Sequence, residues 1–313
     1  MEPGLIEMRR ELLVCVGISL LVMAGAGTVG LYAQEATSSE PGWVLYQKGL
    51  AQLREREFGQ ALRLFREAIG KDAPYPEATA GLGMVYEAES SLDLAVRRYK
   101  EALEAGKFFR IPESRIEIMY SLARVYEKQG RLKEYSDTLE SIASEQPEYT
   151  EQKFDTLRSG MRRTILTDGL NRLVTLYRLE GETSLQANSL LGIQYVRTGN
   201  YTPALENMTF ACLKILSTLV REIRREEPEY QFQDARTLFA DAFSRDTLRA
   251  YVGETNLFEN LYYLAAAVYG EDPESTTWRE IWTLVRDSPE SGAWASRAAS
   301  RLASPRLEPL IEH

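Results

Sequence analysis

Residues 82–102 read LGMVYEAESSLDLAVRRYKEA, and their spacing decides the fold. Leu82, Val85 and Tyr86 are three and four apart, as on one face of a helix, and Leu92, Ala95, Val96, Tyr99 and Leu103 make a second such face. Gly83 and Ala95 are small enough to let two helices cross closely, while Tyr86 and Tyr99 are large enough to fill the space beside such a pair. Upstream the pattern recurs at one offset of 34 residues: Gly49 precedes Gly83, and Ala61, Phe65 and Ala68 precede Ala95, Tyr99 and Ala102. Downstream, Leu122-Ala123-x-x-Tyr126 repeats Leu82-Gly83-x-x-Tyr86 forty residues on, with the six extra residues near Lys107–Pro112 (KFFRIP) forming an inter-repeat loop. A fourth copy has Leu191-Gly192-x-x-Tyr195, then Gly199, Ala204, Met208 and Ala211. Periods of this length mark repeat architectures.

The pattern L-G-x-x-Y, A-x-x-x-F, A and a closing Pro resembles that of tetratricopeptide repeats, over residues 42–149 and 185–218. The second copy matches best. The third has Tyr135, Leu139 and Ile142 where small-large-small is usual, the first has Lys48 and Gln52 at the leucine and tyrosine places, and the fourth has Met208 for the aromatic. The family's leading tryptophan is absent from all four copies. The resemblance implies an all-α, right-handed α-solenoid of helix-turn-helix units with a degenerate helical C-terminal part. Gln129-Gly130 and Gly199-Asn200 supply turns, Pro76 and Pro203 suit first helical turns, and Pro147 and Pro228 mark helix ends.

The domain reading follows. Residues 1–33 form a signal peptide or N-terminal anchor, because 12–32 are uncharged and follow Arg9 and Arg10. Cleavage after Ala33 is preferred over cleavage after Ala26; the four glycines of the run weaken the anchor reading, and Cys15 is a poor lipidation site. Residues 34–41 are a polar spacer, 42–149 hold units 1–3, and 150–183 form a divergent helix pair of one repeat's length. Residues 184–228 are unit 4 with an extended second helix. Residues 229–313 are degenerate repeat-like helices and a cap: a helix from about Tyr230 to Val252, a degenerate fifth unit over 255–270 and 276–286, and a last helix over 291–303.

Composition narrows the function. The chain has 313 residues, one histidine, at the C-terminal position 313, and a net charge of −9. Zinc sites and histidine-based triads are therefore not expected, and an acidic chain is not expected to bind nucleic acid. No phosphate loop occurs, and no cofactor or metal site is expected. Glu113-Ser114 resembles the Glu-Ser pair of lytic transglycosylases, but that family's Gly-Leu-Met-Gln segment is missing. Cys212, and Trp278 with Trp282, are read as core residues.

The resemblance implies a groove lined by the first helix of each unit and occupied by a partner protein. Carried over position by position, unit 1 offers Trp43, Tyr46, Leu50 and Leu53; unit 2 offers Glu77, Ala80, Met84 and Glu87; unit 3 offers Glu117, Tyr120, Arg124 and Glu127. The family's carboxylate clamp is not expected, since Tyr46, Leu50 and Gly81 occupy its places. An apolar floor with an acidic edge suits an amphipathic, partly basic segment. The expectation is thus a non-enzymatic scaffold in the periplasm or cell envelope, touching the membrane only through an uncleaved N-terminal segment. The alternatives are a ligand-binding subunit of a periplasmic transporter and a carbohydrate-active enzyme with two carboxylates.

Overall fold

A computed structural model of the chain describes residues 40–144, 153–179 and 184–307; the expected signal peptide, most of the spacer, Pro147 and His313 lie outside these. The described residues form fifteen α-helices and no strand, so the expectation of an all-α helical repeat holds. In chain order they are α1 (Gly42–Arg54), α2 (Phe58–Asp72), α3 (Pro76–Ala88), α4 (Leu92–Glu104), α5 (Ser114–Lys128), α6 (Leu132–Ser144), α7 (Lys153–Thr167) and α8 (Gly169–Leu176). There follow α9 (Leu185–Arg197), α10 (Tyr201–Glu226), α11 (Ala235–Phe243), α12 (Asp246–Glu254), α13 (Leu257–Glu271), α14 (Thr277–Asp287) and α15 (Ala293–Ala303).

The repeat is visible in the backbone as well as in the side chains. In each of units 1–4 the turn places one residue in the left-handed region: Arg56, Ser90, Gly130 and Gly199, with φ of 62°, 60°, 70° and 75°. The following N–H reaches back to the same carbonyl each time, from Glu57 to Gln52, Ser91 to Tyr86, Arg131 to Tyr126 and Asn200 to Tyr195, at 2.8–2.9 Å. Glycine takes this conformation without strain, whereas an L-residue with a Cβ is disfavoured there by about 1–2 kcal/mol. Ser90→Gly and Arg56→Gly are therefore each expected to raise stability by about 0.5–1 kcal/mol, after the greater freedom of glycine in the unfolded chain is set against the relieved strain. Chemical denaturation checks this, and a loss of stability in both variants would contradict it.

Close crossings explain the recurring small residues. A Cβ added at Gly49 would lie 2.6 Å from the Phe65 ring, at Gly83 2.8 Å from Tyr99, and at Gly192 2.5 Å from Met208. Each large residue stands sixteen positions after its glycine, on the second helix of the same pair. Phe65 also reaches the next unit, where a Cβ on Gly81 would lie 2.7 Å from its ring.

Units stack by packing each second helix on the next first helix: α2 on α3, α4 on α5, α6 on α9 and α10 on α13. The helix pair within 150–183 does not interrupt this series. Unit 4 sits directly on unit 3, while α7 and α8 pack beside α10 and α14. The long α10 is covered by α7, α8, α9, α11 and α13, and this is why it is buried around most of its circumference. Helix α13 packs on both α9 and α10, as α3 does on α1 and α2, and it pairs with α14 as a fifth unit. Trp278 and Trp282 lie in the core, and Trp282 Nε1 donates to the Tyr262 carbonyl at 3.1 Å. Cys212 is fully buried, and burial pushes its thiol pKa up.

One expected element is corrected. Residues 230–252 do not form one helix but irregular chain followed by α11 and α12. Asp234 caps α11 by accepting the Thr237 N–H at 2.8 Å, so the helix starts there. Arg245 breaks it again in an extended conformation (φ −118°, ψ 116°). Its guanidinium is held by Glu226 at 2.8 Å, by Glu227, and by the Asp241 carbonyl at 2.6 Å. Ion pairing to the end of α10 outweighs helical continuity at this point.

Candidate functional site

The first helices of units 1–3 present four rows of equivalent side chains: Trp43, Glu77 and Glu117; Tyr46, Ala80 and Tyr120; Leu50, Met84 and Arg124; Leu53, Glu87 and Glu127. The structure gives these positions different work. Trp43 is 57% exposed, and Glu117 and Glu127 are exposed too. Tyr46 is half-buried between Phe65 and Tyr75, with ring centroids 5.9 and 5.6 Å away. Its hydroxyl pKa is pushed up to about 12, first by burial and then by the negative potential of Tyr75, Glu77 and Glu117. Leu50 and Leu53 are half-buried against the cluster of Ala61, Phe65, Leu82 and Val85, and Met84 leans on the core of units 2 and 3.

Three of the expected groove residues are committed to partners within the chain. Glu77 is buried, and its Oε1 accepts the N–H groups of Arg110 (2.6 Å) and Ile111 (3.2 Å). Glu87 accepts from the Tyr99 hydroxyl at 2.9 Å, from Arg124 Nε at 2.7 Å and from Lys128 Nζ at 2.8 Å. Burial alone would push its carboxyl pKa up, but the hydrogen bonds from Arg124, Lys128 and Tyr99 outweigh it and hold the group down at about 2. Arg124 is thereby tied to unit 2 rather than presented to a partner. The acidic edge expected from four glutamates is carried by Glu117 and Glu127.

Tyr120 closes the row at its far end by accepting the Ala187 N–H of α9 at 3.0 Å, and burial pushes its hydroxyl up to about 12. Beyond it the face is covered by the chain itself. Ser189 donates to Asn260 Oδ1 of α13 at 2.6 Å, and Arg197 donates to the Tyr263 hydroxyl at 3.2 Å. The open face therefore spans units 1–3 and ends at unit 4.

Residue-by-residue carry-over missed the loop before α5. Arg110 lies 4.1 Å over the Tyr75 ring and pairs with Asp72 at 3.1 Å, and the Asp72 carboxylate sits against the backbone of Gly42. This chain of contacts brings the loop to the N-terminal end of α1, next to Trp43. The loop exposes Phe108 (45%) and Ile111 (58%). The six-residue insertion KFFRIP was the available signal, but repeat positions alone give loop residues no register.

Among the described residues, no group of three or more Cys, His, Asp or Glu comes together to hold a metal ion, and no helix is long and apolar enough to cross a membrane.

No family model matches the chain. It is similar to an uncharacterized protein of Treponema pallidum, 27% identical over 252 residues that cover 78% of this chain and 67% of the other. It is also similar to an uncharacterized protein of Borreliella burgdorferi, 21% identical over 304 residues, 88% of this chain and 93% of that one. Among solved structures, the crystal structure of yeast Tom70 aligns at 15% identity with a TM-score of 0.29, over 85% of this chain and 63% of Tom70.

Proposed function

We propose that the protein is a non-enzymatic scaffold of tetratricopeptide type that holds a segment of a partner protein on the open face of units 1–3, in the cell envelope. The observation that carries this reading is the exposure of large apolar side chains, Trp43 on α1 and Phe108 and Ile111 on the loop tied to the N-terminal end of α1, with Leu50, Leu53 and Met84 half-buried on the same first helices. Large exposed aromatic and aliphatic groups beside a shallow apolar floor are what an interface uses as anchors. With Glu117 and Glu127 as its free acids, the face suits an amphipathic segment that carries positive charge. The uncharged run at 12–32 supports export.

Tyr46 is a poor probe of this face because it is wedged between two rings, so its truncation would also loosen unit 1. Trp43 has no such role. Trp43→Ala is expected to weaken crosslinked capture of the partner from an envelope fraction roughly tenfold or more, leaving the unfolding midpoint unchanged within about 0.5 kcal/mol. Undiminished capture by Trp43→Ala combined with Ile111→Ala would remove the basis for this reading.

A further inference from the structure

A second site lies where the chain leaving α8 crosses the last turns of α10. Arg178, Arg221 and Arg224 surround a cavity of about 190 Å³, floored by Leu179 and Val220 and bearing the Ser217 hydroxyl. Ser217 Oγ accepts the Leu179 N–H at 3.3 Å, so its own proton is free to be donated. Arg178 and Arg224, both partly in solvent, repel each other across this hollow, and in a chain of net charge −9 neutralising acids ought to be easy to find.

One acid of that turn already compensates Arg221, and Glu226 and Glu227 are engaged elsewhere. Glu222 accepts from Arg221 at 3.0 Å and from Arg225 at 2.7 Å, and Glu226 and Glu227 are held by Arg245. Arg178 donates to the Tyr177 carbonyl (2.8 Å), and Arg224 to the Tyr230 carbonyl (3.1 Å). No carboxylate among the described residues pairs with either. Burial, followed by the Arg224 charge, holds the Arg178 pKa below its ordinary value.

We infer that the cavity between Arg178, Arg221 and Arg224 binds a phosphate group, with the Ser217 hydroxyl as an additional donor. Planar guanidinium forks match the free oxygens of a phosphate group in pairs, whether it is a free phosphate or the monoanionic diester of a lipid headgroup. The hollow is smaller than a drug-sized pocket, which suits a phosphate or a phosphorylated headgroup rather than a large organic ligand. The site is independent of the proposed scaffold face, so either can fail without the other.

The full-length protein is titrated with inorganic phosphate at constant ionic strength by calorimetry, and sedimented with vesicles of phosphatidylglycerol or of phosphatidylcholine. Arg178→Gln with Arg224→Gln is the test variant, and Arg54→Gln is the control for loss of charge. Circular dichroism checks that the variant keeps its helices. Saturable binding of inorganic phosphate that weakens about tenfold or more in the test variant, but not in the control, supports a site for free phosphate. Binding to phosphatidylglycerol vesicles alone, lost in the same variant, supports a phospholipid headgroup as the source. No binding in either assay, or equal binding by the test variant, would overturn the proposal. So would phosphate binding that emerges only in Glu180→Gln with Glu182→Gln, because the chain would then neutralise the arginines with its own acids.

Discussion

Phe65→Ala is expected to lower stability by about 3–5 kcal/mol, the cost of emptying a fully buried aromatic site. Phe65 is wholly shielded from solvent and packs against Gly49 of its own unit and Gly81 of the next, so its ring touches both unit 1 and unit 2. No other side chain is placed to refill the space from the glycine side, because glycines have none. Among the described residues, unit 1 has a neighbouring unit on one side only. In a linear repeat array its loss of contact should therefore loosen the terminal pair before the rest. Amide protection is expected to fall in α1 and α2 while α10, α13 and α14 stay protected. A uniform loss of protection, or a change under about 1 kcal/mol, would contradict the role given to Phe65. The converse experiment overfills the same space: Gly81→Ala places a Cβ 2.7 Å from the ring and is expected to cost about 1–3 kcal/mol.

The second large effect belongs to Glu87, which ties unit 2 to unit 3. Replacing it by alanine strands unequal partners. Arg124 and Lys128 are about half exposed and regain water, so their loss costs little. Tyr99 is fully buried, and its hydroxyl loses its carboxylate acceptor, which costs about 1–3 kcal/mol. A double-mutant cycle with Tyr99→Phe should recover most of that cost, since the orphaned hydroxyl is then gone. The pH dependence has a definite sign. The folded carboxyl pKa is depressed to about 2 from the ordinary 4.5, so its stabilisation is complete above about pH 4.5 and is lost as pH falls towards 2. The denaturation midpoint of the parent should drop more steeply than that of Glu87→Gln across this window. Parallel curves would show that the ion pairs of Glu87 do not contribute.

How much of this was legible beforehand depends on the range of the interactions concerned. The glycines at 49, 83 and 192, the large residues sixteen positions after them and the turn at Gly130 all act within one helix pair, and so they repeat in the sequence. The left-handed turns at Arg56 and Ser90 were hidden because neither residue is a glycine, although both sit where Gly130 and Gly199 do. The expected helix over 230–252 failed for the opposite reason. Its apolar spacing is helical on both sides of Arg245, but pairing with Glu226 and Glu227 on another helix breaks it.

The candidate face shows the same division. Its four rows were readable from the offsets, and Trp43, Glu117 and Glu127 are exposed there. That Glu77, Glu87 and Arg124 spend their charges on partners within the chain was not readable, because equivalent positions in a repeat say nothing about which neighbours hold the complementary groups. The sequence by itself determined the helix pairs, their close crossings and the order of small and large residues. Only the tertiary structure decided that unit 4 stacks on unit 3 past α7 and α8, that α13 closes the open face, and that Arg178, Arg221 and Arg224 converge. Pair formation rests on contacts a few turns apart along the chain. Stacking and charge pairing depend on which distant surfaces fit and which leave a charge uncompensated, and no local spacing records that.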